Sequence, residues 1–211
     1  MIFAILPVKS PRNAKQRLAG FLSAAEREEL ARILYKQTLA ALCQAEGIDR
    51  VVVATSDSDV AKHAHRSGAM VFDENEQFSH SASADAACSE AIKLGAGTAL
   101  LVPIDVPLVT SADFTRLAAA ARPGVIVVPS ADGTGTNALA RTPPSAIESR
   151  FGPGSCRAHL EQAQSKNIHA EVLRLHGLMF DIDTPEDITE LLSGSHDSDV
   201  TKFLRSVCAL K

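Results

Sequence analysis

Four segments of this 211-residue sequence carry side chains suited to chemistry. The first runs Leu6-Pro7-Val8-Lys9-Ser10 and on through Ala14-Lys15-Gln16-Arg17-Leu18, an apolar run opening into a loop that holds Lys9, Arg12, Lys15 and Arg17. Cations grouped this way can cradle a triphosphate and offset the charge that develops on a departing pyrophosphate. A solvated basic turn is the plainer reading of the same residues. The second segment, Val102-Pro103-Ile104-Asp105-Val106-Pro107, sets a carboxylate directly after an apolar run and between two prolines that restrict its backbone. Asp105 suits Mg²⁺, which takes one or two carboxylates together with phosphate oxygens; an Asx-turn is the bland alternative. The third pairs Gly133-Thr134-Gly135-Thr136-Asn137 with Phe151-Gly152-Pro153-Gly154-Ser155. Glycine lets backbone N–H groups approach an anion, and Ser155 stands where a helix is predicted to begin. The fourth, Asp181-Ile182-Asp183-Thr184-Pro185, places two acids on one face if it is a strand, so that one of them, Asp183 at the strand's end ahead of Asp181, can complete a metal site with Asp105.

Other chemistries find no support. His63 and His65 are two residues apart on a predicted helix and do not face one another. The sequence has no H-E-x-x-H, P-loop or G-x-S-x-G motif. His80, on a loop near the presumed site, reads as incidental. Cys43, Cys88, Cys156 and Cys208 form no C-x-x-C pair, which argues for reduced thiols rather than zinc or disulfides.

The formal charge of −4 disfavours nucleic acid as a partner, yet all four loop cations precede Glu26, the first acidic residue. A cationic segment on an acidic chain suits a small anionic ligand. The apolar runs are too short to span a membrane, and no basic stretch precedes the first of them, so a cytoplasmic protein is expected.

These segments need elements to hold them. Hydrophobic content of 45% suits one sizeable core. Strands are predicted at Met1–Val8, Arg50–Thr55, Ala69–Phe72, Ala99–Pro103, Gly124–Pro129, Asn137–Arg141, Val172–Leu175 and Leu178–Ile182. Helices are predicted from the Ser23–Glu26 capping box to about Ala45, from Asp57 to Gly68, over Ser83–Leu94, from a Ser111 cap to Ala121, over Cys156–Lys166, and from Thr184-Pro185 onward. Alternating strands and helices make an α/β sandwich with a mostly parallel central sheet flanked by helices, whose ligands gather at the carboxyl ends of strands. Residues 1–192 are read as a single domain and 193–211 as a linker and short helix.

The pieces LPVKSPRNAKQRLA from Leu6, VPIDVPLV from Val102, GTGTNAL from Gly133, FGPGS from Phe151 and DIDTPEDI from Asp181 together resemble the CofC/FbiD guanylyltransferases of coenzyme F420 biosynthesis, within the MobA-like nucleotidyltransferases. They occur in family order over nearly the whole chain. The resemblance implies a Rossmann-like nucleotidyltransferase fold, GTP as donor, Mg²⁺, and a small phosphorylated carboxylic acid as acceptor: 2-phospholactate, phosphoenolpyruvate or 3-phosphoglycerate. A homodimer is compatible with it. By position, Pro7, Lys9, Lys15 and Arg17 would hold the nucleotide, Asp105 and Asp183 the metal, and Thr136, Gly152 and Ser155 the acceptor, with Lys15, Asp105 and Asp183 as the catalytic set. The family's Gly-Leu-Asn, which holds base and ribose, is replaced here by the stretch Ser79 to Ala84, with Ser83 at the Asn position. Two rivals are a sibling enzyme using CTP or another acceptor, and a non-catalytic nucleotide-binding protein on the same fold. The paired glycine loops argue against the first, and the joint presence of Lys15, Asp105 and Asp183 against the second.

Overall fold

The computed structural model describes residues 1–74 and 79–209. Its strands are β1 (Ile2–Pro7), β2 (Arg50–Thr55), β3 (Met70–Asp73), β4 (Thr98–Leu101), β5 (Gly124–Pro129), β6 (Thr136–Thr142) and β7 (Ala170–Val172). They form one sheet in the order β3-β2-β1-β4-β6-β5-β7. Every pairing is parallel except those of β6, which runs antiparallel to both β4 and β5. The expected mostly parallel α/β sheet is what these residues form.

The helices are α1 (Ala24–Cys43), α2 (Ser58–Arg66), α3 (His80–Lys93), α4 (Ser111–Ala120), α5 (Ser155–Ser165), α6 (His176–Met179), α7 (Pro185–Ser193) and α8 (Asp199–Cys208). Strand alternation divides the core into two layers. Ala4, Leu6, Val53, Leu100 and Val128 face α1, α2 and α4, where they meet Leu39, Val60 and Phe114. Phe3, Ile5, Val52, Leu101 and Val127 face α3 and α5. On that side α3 offers mainly small residues, Ala84, Ala87, Cys88 and Ala91, which bring its axis close to the sheet. A third cluster lies beyond the sheet, where Leu18, Leu30, Leu34, Ile188, Leu191, Val200 and Leu204 join α1, α7 and α8.

Several boundaries differ from expectation. Helix α3 begins at His80 rather than Ser83, because the Ser79 side chain already accepts from the Ala82 N–H. Thr110, not Ser111, caps α4, in a capping box with Asp113. The strand expected at Val172–Leu175 lies earlier, at Ala170–Val172, paired with β5.

The strand expected at Leu178–Ile182 does not form. Its backbone groups are satisfied elsewhere: the Asn137 side chain donates to the Leu178 and Met179 carbonyls, and the Ile182 N–H donates to the Asp105 carbonyl. Just before it, Gly177 lies so near the Leu108 carbonyl that a Cβ would come within 2.8 Å. No strand alternation therefore sets Asp181 and Asp183 in place; side-chain and loop contacts do. Among the described residues, no helix is long and apolar enough to cross a membrane.

Candidate active site

The carboxyl ends of β1 and β4 open onto a cleft of about 750 Å³. Beyond Pro7 the chain makes two short 3-10 turns, Pro11–Asn13 and Gln16–Leu18, joined by Lys15 in the left-handed region at φ 53°. A non-glycine residue takes that conformation at a cost, and here the site contacts hold it there. The Lys15 ammonium, only 7% exposed, donates to Asp105 Oδ2 at 3.0 Å, to Asp183 Oδ1 at 3.1 Å and to the Ile182 carbonyl at 2.6 Å. All three of its protons are thus used. Arg17 donates to the other oxygen of Asp183 at 3.1 Å.

Burial works against the charge on Lys15, but the two carboxylates outweigh it and hold the ammonium above its ordinary pKa. Burial likewise pushes Asp105 up, and Lys15 more than reverses this, holding the carboxyl below the usual range. Asp183 is set by α7. The Asp187 carboxylate accepts from the Asp183 and Thr184 N–H groups at 2.8 and 2.6 Å, and the Thr184 side chain accepts from Asp187 in return. Asp181, held by the Asn137 amide, is raised chiefly by burial.

Asp105 and Asp183 therefore reach one cation from two separate segments, an arrangement that fits a Mg²⁺ ion. Among the described residues no three His, Cys, Asp or Glu side chains group as a ligand set. Such an ion would complete its shell with phosphate oxygens and water, as Mg²⁺ commonly does.

The two glycine loops form another part of the cleft. Asp132 accepts from the Ser130 hydroxyl and from the Thr134 N–H and hydroxyl, and these bonds lower its pKa to about 2. The Cys156 N–H donates to the Thr134 carbonyl and ties one loop to the other. Gly152 and Gly154 have φ of 128° and 72°, conformations strained for any other residue even though a Cβ would meet nothing. They turn the chain into α5, which has no side-chain cap. Its first residue, Ser155, is 1% exposed, lines the cleft, and has no hydrogen-bond partner for its hydroxyl among the described residues. A helix N-terminus with a buried donor to spare is suited to an anion.

Of the residues expected from sequence, Pro7, Lys9, Arg17, Asp105, Thr136, Gly152, Ser155 and Asp183 line this one cleft. Lys15 touches it through its two carboxylates. Ser83 does not line it: the early start of α3 carries Ser83 a turn into the helix, where it is 2% exposed and its hydroxyl has no partner among the described residues. Arg12 is exposed and outside the cleft lining.

The sequence pattern of the guanylyl transferase CofC-like family matches residues 2–209. The chain belongs to that family. This makes it a guanylyltransferase of coenzyme F420 biosynthesis. It is 38% identical over 194 residues to a phosphoenolpyruvate guanylyltransferase of Sphaerobacter thermophilus, covering 89% of this chain and 91% of that one. With a 3-phospho-D-glycerate guanylyltransferase of Colwellia psychrerythraea it shares 34% identity over 206 residues, 97% of this chain and 96% of the relative. A crystal structure from Desulfovibrio desulfuricans, assigned as a nucleotide-diphospho-sugar transferase, superposes with a TM-score of 0.80 at 16% identity, over 99% of this chain and 96% of that one. That likeness concerns the fold.

In this CofC-like guanylyltransferase, three residues given no role from the sequence bear on the site. His80, set aside as incidental, is the first residue of α3, lines the cleft, and packs edge-to-face on Phe151 with centroids 4.9 Å apart. Burial lowers its pKa, with Asp105 partly opposing. Asn137 and His159 bond to site segments from the buried side. A buried amide and a buried imidazole need partners, but nothing in the linear pattern announces that either is buried.

Proposed function

We propose that the enzyme transfers GMP from GTP to the phosphate of a phosphorylated three-carbon acid, namely phosphoenolpyruvate, 2-phospholactate or 3-phosphoglycerate, and releases pyrophosphate. One observation carries this reading. A single cleft joins the Lys15–Asp105–Asp183 cluster to the N-terminus of α5, where the Ser155 hydroxyl is buried and unpartnered among the described residues. The first region suits a triphosphate and the second a smaller anion.

Pro7, Lys9, Lys15 and Arg17 would hold the donor, and Thr136, Gly152 and Ser155 the acceptor. Six carboxylates line the cleft, on Asp105, Asp132, Asp181, Asp183, Asp187 and Glu190, whereas its lining cations are Lys9 and Arg17. Two anionic substrates entering such a cleft need added positive charge. Asp105 and Asp183 would hold Mg²⁺, which when bound supplies that charge and polarises phosphate oxygens.

The acceptor's phosphate is already anionic at neutral pH, so no general base is required. One of its oxygens bonds to the α-phosphorus of GTP as the bond from that phosphorus to the bridging oxygen breaks, and the electron pair leaves with pyrophosphate. The chain's own residues orient the two phosphates in line and compensate their repulsion, which accounts for most of the barrier in such a reaction. Pyrophosphate release, measured with four nucleoside triphosphates against a panel of phosphoacids, tests the reading. GTP with one of the three acids should give release. No release with any of them, or outright preference for CTP, would sink it.

A further inference from the structure

His159 lies on α5 with 0% exposure, and both its ring nitrogens are engaged. The Arg150 N–H donates to Nε2 at 2.8 Å. A backbone amide can only donate, so Nε2 carries no proton, and the neutral ring must carry its proton on Nδ1. Nδ1 lies 3.0 Å from Thr136 Oγ1 and therefore donates to it. The Thr136 hydroxyl, its lone pair taken from behind, must then direct its own proton elsewhere, and Thr136 lines the cleft. The imidazole also packs edge-to-face on Phe151, 5.5 Å between centroids, and the Phe151 N–H donates to the Ser81 hydroxyl at 2.9 Å.

We propose that His159 is a positioning residue of the acceptor subsite: it polarises Thr136 into a hydrogen-bond donor aimed at the bound anion and anchors the Arg150–Ser155 loop. The inference rests on the assignment of Thr136 and Ser155 to the acceptor. Geometry and pKa agree, since burial, helped by Arg141, lowers the ring's pKa to about 4 and keeps it neutral in the working range. A proton on Nε2 would set two donors against each other and release the loop. Without the imidazole, the Thr136 hydroxyl could turn either way, and its orientation toward an anion would no longer be built in.

Three measurements test this on the full chain. Imidazole ¹⁵N NMR, with His159→Asn used to assign the signal, should show a neutral ring protonated on Nδ1 at pH 7; the opposite tautomer overturns the proposal. In steady-state kinetics His159→Phe, which keeps the ring volume but loses both hydrogen bonds, should raise the acceptor KM about tenfold and leave the GTP KM within about twofold. His159→Asn, which retains a donor near Nδ1, should recover part of the loss. Adding His159→Phe to Thr136→Val should cost clearly less than the sum of the two single losses, because His159 acts in part through Thr136 and in part through the Arg150 anchor.

An equal rise in both KM values, or full additivity, overturns the positioning role. If Thr136→Val and Ser155→Ala also leave the acceptor KM unchanged, the acceptor assignment falls and takes the proposal with it. If they raise it and the His159 variants do not, only the role of His159 is lost. Should His159→Phe fail to fold, the tautomer and His159→Asn still decide.

Discussion

Lys15 is the residue on which the site's electrostatics turn. A nearly buried ammonium with all three protons committed makes Asp105 and Asp183 a single unit, so removing one charge disturbs the whole. Asp105→Asn, nearly isosteric, should leave the fold intact and reduce turnover below about a tenth of wild type, a loss of at least ~1.4 kcal/mol in transition-state stabilisation. Turnover above that level would remove Asp105 from the catalytic set, and unchanged Mg²⁺ affinity by calorimetry would remove it from the metal site. His159 makes the stability of the fold depend on pH. Unfolded, it binds a proton below its ordinary 6.5, whereas in the fold it stays neutral down to about 4. The unfolded state is therefore the better proton binder between those values, and stability is lost as pH falls through them. Relative to His159→Phe, the wild type should lose about 2 kcal/mol between pH 7.5 and pH 5 in urea unfolding. A constant gap between the two proteins would mean that the ring protonates normally.

At the scale of elements, the site is positioned by helix starts and by one buried amide more than by the strands. Capping boxes at Ser23, Thr110, Thr184 and Ser198 define where α1, α4, α7 and α8 begin, and the one at Thr184 also holds the Asp183 N–H. Between α6 and α7 the chain has no ladder to lean on. Instead the Asn137 Nδ2 lies within 3.1 Å of three acceptors, the Leu178 and Met179 carbonyls and Asp181 Oδ1. Asn137→Ala would leave those groups unpaired in a largely buried place, costing about 1–3 kcal/mol. It should also loosen the segment that delivers Asp183. Chemical denaturation should show the stability loss, and hydrogen exchange should show faster amides around Ile182 with those of β1 unchanged. Unchanged exchange at Ile182 would mean that the Asp105 carbonyl, Lys15 and Asp187 hold the segment without Asn137.

For the whole molecule, the consequential feature is the cluster outside the two sheet layers. Helix α8, which follows a polar stretch and reads in sequence as an appendage, buries Val200, Thr201 and Leu204 against α1 and α7. It thereby supports two site carriers at once: Leu18, just beyond Arg17, and Ile188, in the helix whose first turn holds Asp183. Leu204 is fully buried, so Leu204→Ala should destabilise the protein by about 2–5 kcal/mol. Its effect on the GTP KM of the folded fraction should exceed its effect on the acceptor KM, since the glycine loops lie outside this cluster. A purely global loss, with both KM values unchanged, would uncouple α8 from the donor side.

Much of this was readable from the linear chain because the signals are local. A run such as Arg50–Thr55, a capping box such as Ser23–Glu26 and a glycine at a turn each act within a few residues, and most of the strands and helices follow from them. The four chemical segments were legible for the same reason, since each follows a strand or opens a helix. What the sequence could not supply was contact across distance. Nothing local says that Lys15 meets Asp105 and Asp183, that the start of α3 turns His80 rather than Ser83 toward the cleft, or that Asn137 replaces a strand ladder at Leu178–Ile182. Nor does it say that His159 stands behind Thr136. Those facts belong to tertiary structure because a polar group's partner is decided by which segments pack together, and buried groups take whatever partner that packing brings within reach.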